Sequence, residues 1–137
     1  MAKKKNVSVG QIIRRIRSRE IAPVYALYGG DSFLEDYFLS ELSENILKGN
    51  EQRIHFSLDQ DSEEKLFGEL SSISMFEEKR VIIIREIKKL RSKQGRQELI
   101  QYIQSPNPLI ILVIISSEFD LRDSFLDKIA KHSELLD

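Results

Sequence analysis

The chain has 137 residues, of which 41% are hydrophobic and 31% are charged, a composition that suits one compact domain with a real core. Its formal net charge of −1 argues against the strongly basic body of a dedicated nucleic-acid binder. Cysteine is absent, which excludes disulfides, zinc-thiolate sites and thiol nucleophiles.

The charges are unevenly distributed along the sequence. Lysines and arginines dominate up to Glu20, the first acidic residue, whereas acids dominate from Asp31 to Leu70. We therefore expect a basic edge and an acidic middle. The charged start has no apolar stretch behind it, and the longest apolar run, Leu109 to Ile115, is far shorter than the roughly 20 residues of a membrane span. No membrane contact and a cytoplasmic location are predicted.

The first elements are indicated by caps and apolar spacing. Ser8 with Gln11 forms a capping box before a first helix. The helix carries apolar residues at i, i+3, i+4 and i+7, namely Val9, Ile12, Ile13 and Ile16. A first buried strand is predicted from Val24 to Tyr28, and Gly29-Gly30 gives a tight turn after it.

A second helix and an edge strand follow. Ser32 with Glu35 is a second capping-box pattern, and the helix stops near Gly49-Asn50. Its apolar stripe consists of Leu34, Tyr37, Phe38, Leu42 and Ile46. Residues 53–58 alternate partly, with apolar side chains on one face, which predicts a strand near the sheet edge.

The middle of the chain joins an amphipathic helix to a buried strand. Asp61 or Ser62 caps a helix that begins near Glu63. Its stripe holds Leu66, Leu70 and Ile73, with Phe67 at the edge. The β-branched run from residue 81 to 84 predicts a strand covered on both faces. Between them, either the helix ends near Ser74 and the chain turns Met75 and Phe76 inward, or these two residues stay outside as an apolar knob.

The last third repeats the alternation. Residues 88–96 are a basic loop or helix entry, and Leu99, Ile100 and Ile103 mark a short helix that a proline-containing stretch closes. Leu109 to Ile115 is the most hydrophobic strand and is therefore expected at the centre of the sheet. A last helix is predicted to start at Asp120, with Asp123 three residues later. Leu135-Leu136 begins another strand.

This alternation predicts an α/β fold with a parallel sheet of about five strands flanked by helices. We expect residues 1–137 to form a single domain. Because the chain stops just as a strand begins, we interpret it as an N-terminal fragment of a longer protein.

The turn after the first strand stands where a phosphate-binding loop would lie. A Walker loop reads GxxxxGK[ST]. The stretch from Gly29 to Asp36 has no lysine, and it has no glycine at the second motif position. Three acids, Asp31, Glu35 and Asp36, crowd the helix start, where they would repel an anion. We therefore interpret it as a capped structural turn.

The sequence shows no pattern typical of a catalytic or metal-binding site. The strand of residues 81–84 is followed by Arg85-Glu86 rather than by an acid pair for magnesium, and His55 and His132 have no nearby ligands. We predict no catalytic residue, no cofactor and no metal site. Whether the chain serves an enzyme is left open.

Three segments in order carry a family resemblance. The first segment contains Pro23-Val24-Tyr25, Tyr28-Gly29 and the aromatic-leucine pair Phe33-Leu34. The second contains Ser74-Met75-Phe76, followed by Arg80 and a β-branched strand. The third contains a helix, a Pro-containing loop and the strand of residues 109–115. The arrangement resembles the N-terminal domain of the delta subunit of the bacterial DNA polymerase III clamp loader, from about Pro23 to the end.

The resemblance implies an AAA+-like domain with a degenerate nucleotide site. It implies that the domain grips the ring-shaped sliding clamp (beta) and helps open it for loading onto primed DNA, while other clamp-loader subunits bind ATP. The polymerase holoenzyme that contains such a subunit is a DNA-directed DNA polymerase. The family's clamp contact falls on Ile73, Ser74, Met75 and Phe76, with methionine where a leucine is common.

The clamp contact also has a physical rationale. Burying each of two exposed apolar side chains in a pocket would contribute about 1.5–3 kcal/mol. From the residues alone, Phe76 packed under the following strand is the favoured interpretation, since most phenylalanines are core residues. The resemblance reverses that preference for the pair, although Met75 alone could protrude.

Two alternative functions fit parts of the sequence. A phosphoryl-accepting receiver domain is also a small parallel α/β unit, but it requires an aspartate where Arg85-Glu86 stands. Direct nucleic-acid contact is the second, and it would give salt-sensitive binding. It would use two basic clusters, one of Arg14, Arg15, Arg17 and Arg19 and one of Lys88, Lys89, Arg91, Lys93 and Arg96.

Overall fold

The computed structural model of the chain describes residues 8–27, 32–46, 53–58, 62–72, 79–116 and 122–136. The helices in these ranges are α1 (Val9–Arg17), α2 (Ser32–Ile46), α3 (Glu63–Ser71), α4 (Lys93–Gln104) and α5 (Ser124–Lys131). The strands are β1 (Val24–Leu27), β2 (Arg53–Ser57), β3 (Arg80–Arg85), β4 (Ile110–Ile115) and β5 (Glu134–Leu136). A short 3-10 helix, Ile87–Lys89, follows β3.

The five strands form one sheet in the order β2-β3-β4-β1-β5, and every neighbouring pair is parallel. The parallel α/β fold predicted from the sequence is confirmed. β4 is the middle strand, and β2 lies at an edge, both as expected. The strand predicted at Leu135-Leu136 pairs with β1 at the other edge.

Alternate residues of the inner strands enter two separate cores. In β4, Leu112 and Ile114 face one core, whereas Ile111 and Val113 face the other. Because both faces are covered, β4 is buried along its whole length. This explains why its sequence is uniformly apolar rather than alternating.

Three helices cover one face of the sheet and two cover the other. α3, α4 and α5 fill the first core with Leu66, Leu70, Leu99, Ile103, Phe125, Leu126, Ile129 and Ala130. α1 and α2 fill the second core with Ile12, Ile16, Phe38, Leu39 and Leu42. The two-faced arrangement leaves the strand ends, rather than the sheet faces, available to position functional groups.

The helix starts follow from local hydrogen bonds. The Ser8 capping box is confirmed, because the Ser8 hydroxyl accepts from the Gln11 backbone N–H and the Gln11 side chain accepts from the Ser8 N–H. Ser62 caps α3 by accepting from the Lys65 N–H. At α5 the cap is Asp123, so this helix begins at Ser124 and later than the Asp120 start predicted from the sequence.

Other boundaries also differ from the predictions. α2 begins at Ser32 itself, and the Glu35 carboxylate accepts a hydrogen bond from Arg85. α3 ends at Ser71 rather than near Ser74, and its C-cap Ser72 is extended. Residues 88–96, predicted as a basic loop or helix entry, hold the end of the 3-10 helix and the first turn of α4, which agrees with the helix entry. Ile87 and Leu90 pack into the first core.

Side-chain and backbone hydrogen bonds fix both ends of β4. Before the strand, the Leu109 N–H donates to Asn107 Oδ1 at 2.9 Å, and the Ile110 N–H donates to the Asn107 carbonyl at 3.0 Å. After it, the Ser116 N–H donates to the Leu27 carbonyl at 3.0 Å. The central strand is therefore held at fixed points on either side.

Candidate functional site

The predicted clamp-binding residues Ile73, Ser74, Met75 and Phe76 lie outside the described residues, and so does the predicted turn at Gly29-Gly30. The flanks of residues 73–78 are described. α3 ends at Ser71, its C-cap Ser72 immediately precedes them, and β3 begins two residues after them, at Arg80. The geometry of these flanks is the part of the candidate site that can be built from atoms.

Arg80 joins the two flanks. Its Nη1 donates to Glu69 Oε1 at 2.5 Å and to the Ser72 hydroxyl at 2.8 Å. Its Nη2 donates to the Ser72 carbonyl at 3.1 Å. The side chain is only 13% exposed, so these charge-assisted bonds are partly shielded from water. One guanidinium thus ties the end of α3 to the start of β3.

One buried polar atom on this side of the first core, Arg80 Nε, makes no hydrogen bond within the part of the chain that the structure describes. The Tyr102 hydroxyl is also buried and lies near the Asn107 backbone. Burial raises the pKa of Tyr102, because an ionised phenolate would lose its hydration. Burying a donor such as Arg80 Nε without a hydrogen bond costs free energy, and the hydrogen bonds of the two terminal nitrogens offset this cost.

The phosphate-loop position has its own ion pair. Arg85 ends β3, and its Nη1 donates to Glu35 Oε1, in the first turn of α2, at 2.9 Å. In a magnesium-dependent site an acid at the end of this strand would hold the metal. Here the Arg85 guanidinium pairs with the Glu35 carboxylate. Glu35 lies at the start of α2, the helix end that would face phosphate in a nucleotide site.

Four residues of the predicted basic clusters, Arg14, Arg15, Lys88 and Lys89, are exposed but divided between two sides of the sheet. Arg14 and Arg15 lie on α1, which covers the second core. Lys88 and Lys89 follow Ile87, which packs into the first core. The structure therefore does not bring the two pairs into one continuous cluster.

A groove between α4 and α5 gathers three residues of the second predicted basic cluster, Arg91, Lys93 and Arg96, together with Lys128. It has a volume of about 640 Å³, and no acidic residue of the described ranges lines it. The Arg96 guanidinium lies 4.6 Å from the centre of the Phe125 ring and donates to the Leu90 carbonyl. The sequence reasoning missed Lys128, because its approach to α4 depends on tertiary packing rather than on local spacing.

Two classes of site are absent from the described ranges. No group of three or more His, Asp or Glu side chains in them is arranged to hold a metal ion. No helix in them has the length and hydrophobicity needed to cross a membrane.

Several solved structures share this fold. The Bacillus subtilis DNA clamp loader delta protein superposes with a TM-score of 0.80 at 21% identity, over 93% of this chain and 41% of that one. A Thermotoga maritima DNA polymerase III gamma subunit-related protein gives 0.59 at 11% identity, over 94% and 45% of the two chains. The P-loop NTPase domain of an Escherichia coli sigma-54 transport activator gives 0.57 at 13% identity, over 93% and 94%. The AAA+/P-loop-like fold predicted above is confirmed.

Sequence comparison gives the same relationship. The chain is 22% identical over 141 residues to DNA polymerase III subunit delta of Bacillus subtilis, covering 94% of this chain and 41% of that protein. It therefore spans less than half the length of this relative. Residues 25–137 match the family model described as "DNA polymerase III, delta subunit". This match extends over most of the chain and confirms the resemblance, and the chain belongs to the DNA polymerase III delta subunit family.

Proposed function

We propose that this domain binds the sliding clamp through Ile73, Ser74, Met75 and Phe76 and helps open the ring for loading onto primed DNA. The observation that carries the proposal is the family membership, from residue 25 to the end. A clamp-loader subunit requires contact with the clamp and with its neighbouring subunits. We propose both as partners, with the bacterial cytoplasm, where DNA is replicated, as the location.

Physical considerations support this segment as the anchor. Met75 and Phe76 are two large apolar side chains next to each other, and such pairs dominate binding when a partner's pocket receives them. Methionine suits the role because its unbranched side chain adapts to irregular pockets. Arg80 joins the two described flanks of the segment, the end of α3 and the start of β3.

The test is calorimetric titration of this chain into a bacterial sliding clamp. The Met75→Ala, Phe76→Ala double variant should lose binding while retaining the native circular dichroism spectrum. A matched control is Phe33→Ala, Tyr37→Ala, which removes two side chains that are 75% and 42% exposed on α2. The control should bind like the unaltered chain. Equal binding by all three proteins would exclude the segment as the anchor.

Nucleic-acid contact is a second candidate function, and the groove between α4 and α5 favours it. Four basic residues, with no acid among the lining side chains that the structure describes, would attract a phosphate backbone. The Arg96 guanidinium, stacked on Phe125, is held in place within this surface. The receiver interpretation has no such support, since Arg85 and Glu35 neutralise each other where the phosphorylated aspartate would be required.

A salt titration with DNA tests the groove. If the groove binds phosphates, replacing Arg91, Lys93 and Lys128 by glutamine should weaken binding and flatten its dependence on salt, by about one unit of slope for each phosphate-binding cation that is removed. The comparison variant replaces the exposed cations Arg14 and Lys89, which lie outside the groove lining. Loss of binding in the comparison variant alone would exclude the groove and assign the DNA-binding surface to Arg14 and Lys89.

A further inference from the structure

The sheet ends at β2 on one side, and no strand in the described part of the chain pairs with the outer side of β2. Just past β2, the Leu58 N–H donates to the Arg85 carbonyl of β3 at 3.2 Å. Alternate residues of an edge strand bond to its one neighbour, so the even-numbered residues of β2 direct their backbone groups toward β3. The backbone N–H and carbonyl groups of Arg53 and His55 therefore face outward, where they can pair with another strand.

The side chains at this edge differ between the two faces of the sheet. Ile54 and Leu58 are partly buried and pack against the first core, which makes one face of the edge apolar. On the opposite face the second core ends at β3, since none of its described residues belongs to β2. Arg53 and His55 occupy that face instead, because side chains alternate along a strand. An added strand would meet apolar side chains on one face and basic ones on the other.

The basic face of the edge lacks a matching set of acids. His55 lies in register with Ile83, and Arg85 follows two residues later on the same face of β3. The pKa of His55 is lowered, first by burial and then by Arg53 and Arg85, so both guanidinium groups are close enough to repel a proton on the imidazole. Glu35 pairs with Arg85, whereas the half-buried Arg53 makes no ion pair with any described residue. Such a guanidinium favours a carboxylate ligand.

We propose that the free edge of β2 binds an extended acidic segment of a partner protein, which joins the sheet as a further strand. The main chain of the segment pairs with the outward groups of Arg53 and His55, and its alternate side chains divide between the two faces. Carboxylates lie against Arg53 and Arg85 on one face, and apolar side chains cover Ile54 on the other. The positive charges exclude a basic segment, which makes the edge selective. The inference does not depend on the clamp contact proposed above.

The test measures how a fluorescently labelled peptide of alternating valine and glutamate binds the chain, by fluorescence anisotropy. Arg53→Glu should bind this peptide about tenfold more weakly, because it places like charges opposite each other. The matched control is Arg14→Glu, since Arg14 is an exposed cation that belongs to α1 rather than to the sheet. It should bind the peptide like the unaltered chain. A peptide in which lysine replaces glutamate should not bind.

Two changes separate strand addition from simple attraction between charges. N-methylation of alternate peptide amides removes their hydrogen bonds without changing the charge, and it should abolish binding. His55→Pro removes one outward N–H and keeps the bonds to β3, so it should weaken binding about fivefold, the effect of one net hydrogen bond. The peptide should also slow hydrogen exchange at the Arg53 and His55 amides. If His55→Pro does not fold, the methylated peptide makes the same comparison on the unaltered chain.

Other results would overturn the proposal. Binding that survives N-methylation would mean attraction between charges alone, and equal binding by Arg53→Glu would place the peptide elsewhere. If the unaltered chain does not bind the acidic peptide, the charges of β2 serve only to keep other strands away. Self-association of the chain that the peptide does not displace, measured by sedimentation, would assign the edge to a second copy of the chain.

Discussion

Arg85 at the end of β3 and Glu35 in the first turn of α2 are 50 residues apart in the chain, and their side chains meet at 2.9 Å. Related P-loop folds use this region of the sheet for phosphate and magnesium. The carboxylate is 13% exposed and the guanidinium 39%, so the pair lies at the boundary between protein and solvent. An internal ion pair thus joins α2 to the sheet.

The pair should contribute modestly to stability. Arg85→Met and Glu35→Gln are each expected to lower the free energy of unfolding by about 0.5–1 kcal/mol, since solvent screens half-exposed ion pairs. A double-mutant cycle by urea denaturation measures the coupling. The i,i+4 pair of Lys131 and Asp127 on α5 is the control and should couple less. Addition of ATP and magnesium should leave the thermal midpoint unchanged; an increase would reveal nucleotide binding.

The cap of α5 gives a second prediction. Asp123 Oδ1 accepts from the backbone N–H groups of Phe125 and Leu126. Asp123→Ala should cost about 1 kcal/mol, whereas Asp123→Asn keeps an accepting oxygen and should cost a few tenths. Urea denaturation of the two variants measures the difference. Equal losses would mean that the charge, rather than the hydrogen bonds, stabilises the helix start.

Two helical glycines should respond oppositely to alanine. A Cβ at Gly68 on α3 would meet no atom within 4 Å, so Gly68→Ala should stabilise the domain by about 0.5–1 kcal/mol. A Cβ at Gly95 on α4 would lie 2.7 Å from both the Ser92 Oγ and Glu63 Oε2. Because the Ser92 hydroxyl caps α4, Gly95→Ala should lose this gain and destabilise the domain. Thermal unfolding of both variants is the measurement, and two stabilised proteins would contradict the predicted crowding.

His55 on β2 gives a dependence on pH. Its pKa lies below the ordinary 6.5, mainly through burial and then through the nearby charges of Arg53 and Arg85. The folded state therefore binds fewer protons, so this contribution to stability is present above about pH 6.5 and is lost as the pH falls through the folded pKa. His55→Gln should flatten the stability profile between pH 7 and 5. Arg53→Gln should reduce the slope in part, and an unchanged profile in His55→Gln would rule this origin out.

Elements with local signals were predictable from the sequence. The Ser8 capping box and the alternating cores of the strands follow from spacing alone, because caps and periodicity act within a few residues. The predicted ends of the helices were less accurate than the helices themselves. α5 starts at the cap of Asp123, and α3 stops at Ser71, since competing cap residues lie close together in both places.

The contacts that define the candidate site were not predictable. Arg80 with Glu69, Arg85 with Glu35, and Lys128 beside α4 all join elements that only the folded topology brings together. The sequence singled out Met75 and Phe76 through their size, their order in the chain and the family resemblance. Those two residues lie outside the described ranges, and their contact with the clamp stays a prediction.

Because β4 is buried on both faces, burial alone does not select its register with the neighbouring strands. In a strand with one polar face, a slip by one residue would expose apolar side chains and be rejected; in β4 every position is apolar, so a slip costs little in solvation. Alignment must then come from the fit of side-chain shapes in the two cores, where Leu112 and Ile114 pack on one side of the sheet and Ile111 and Val113 on the other.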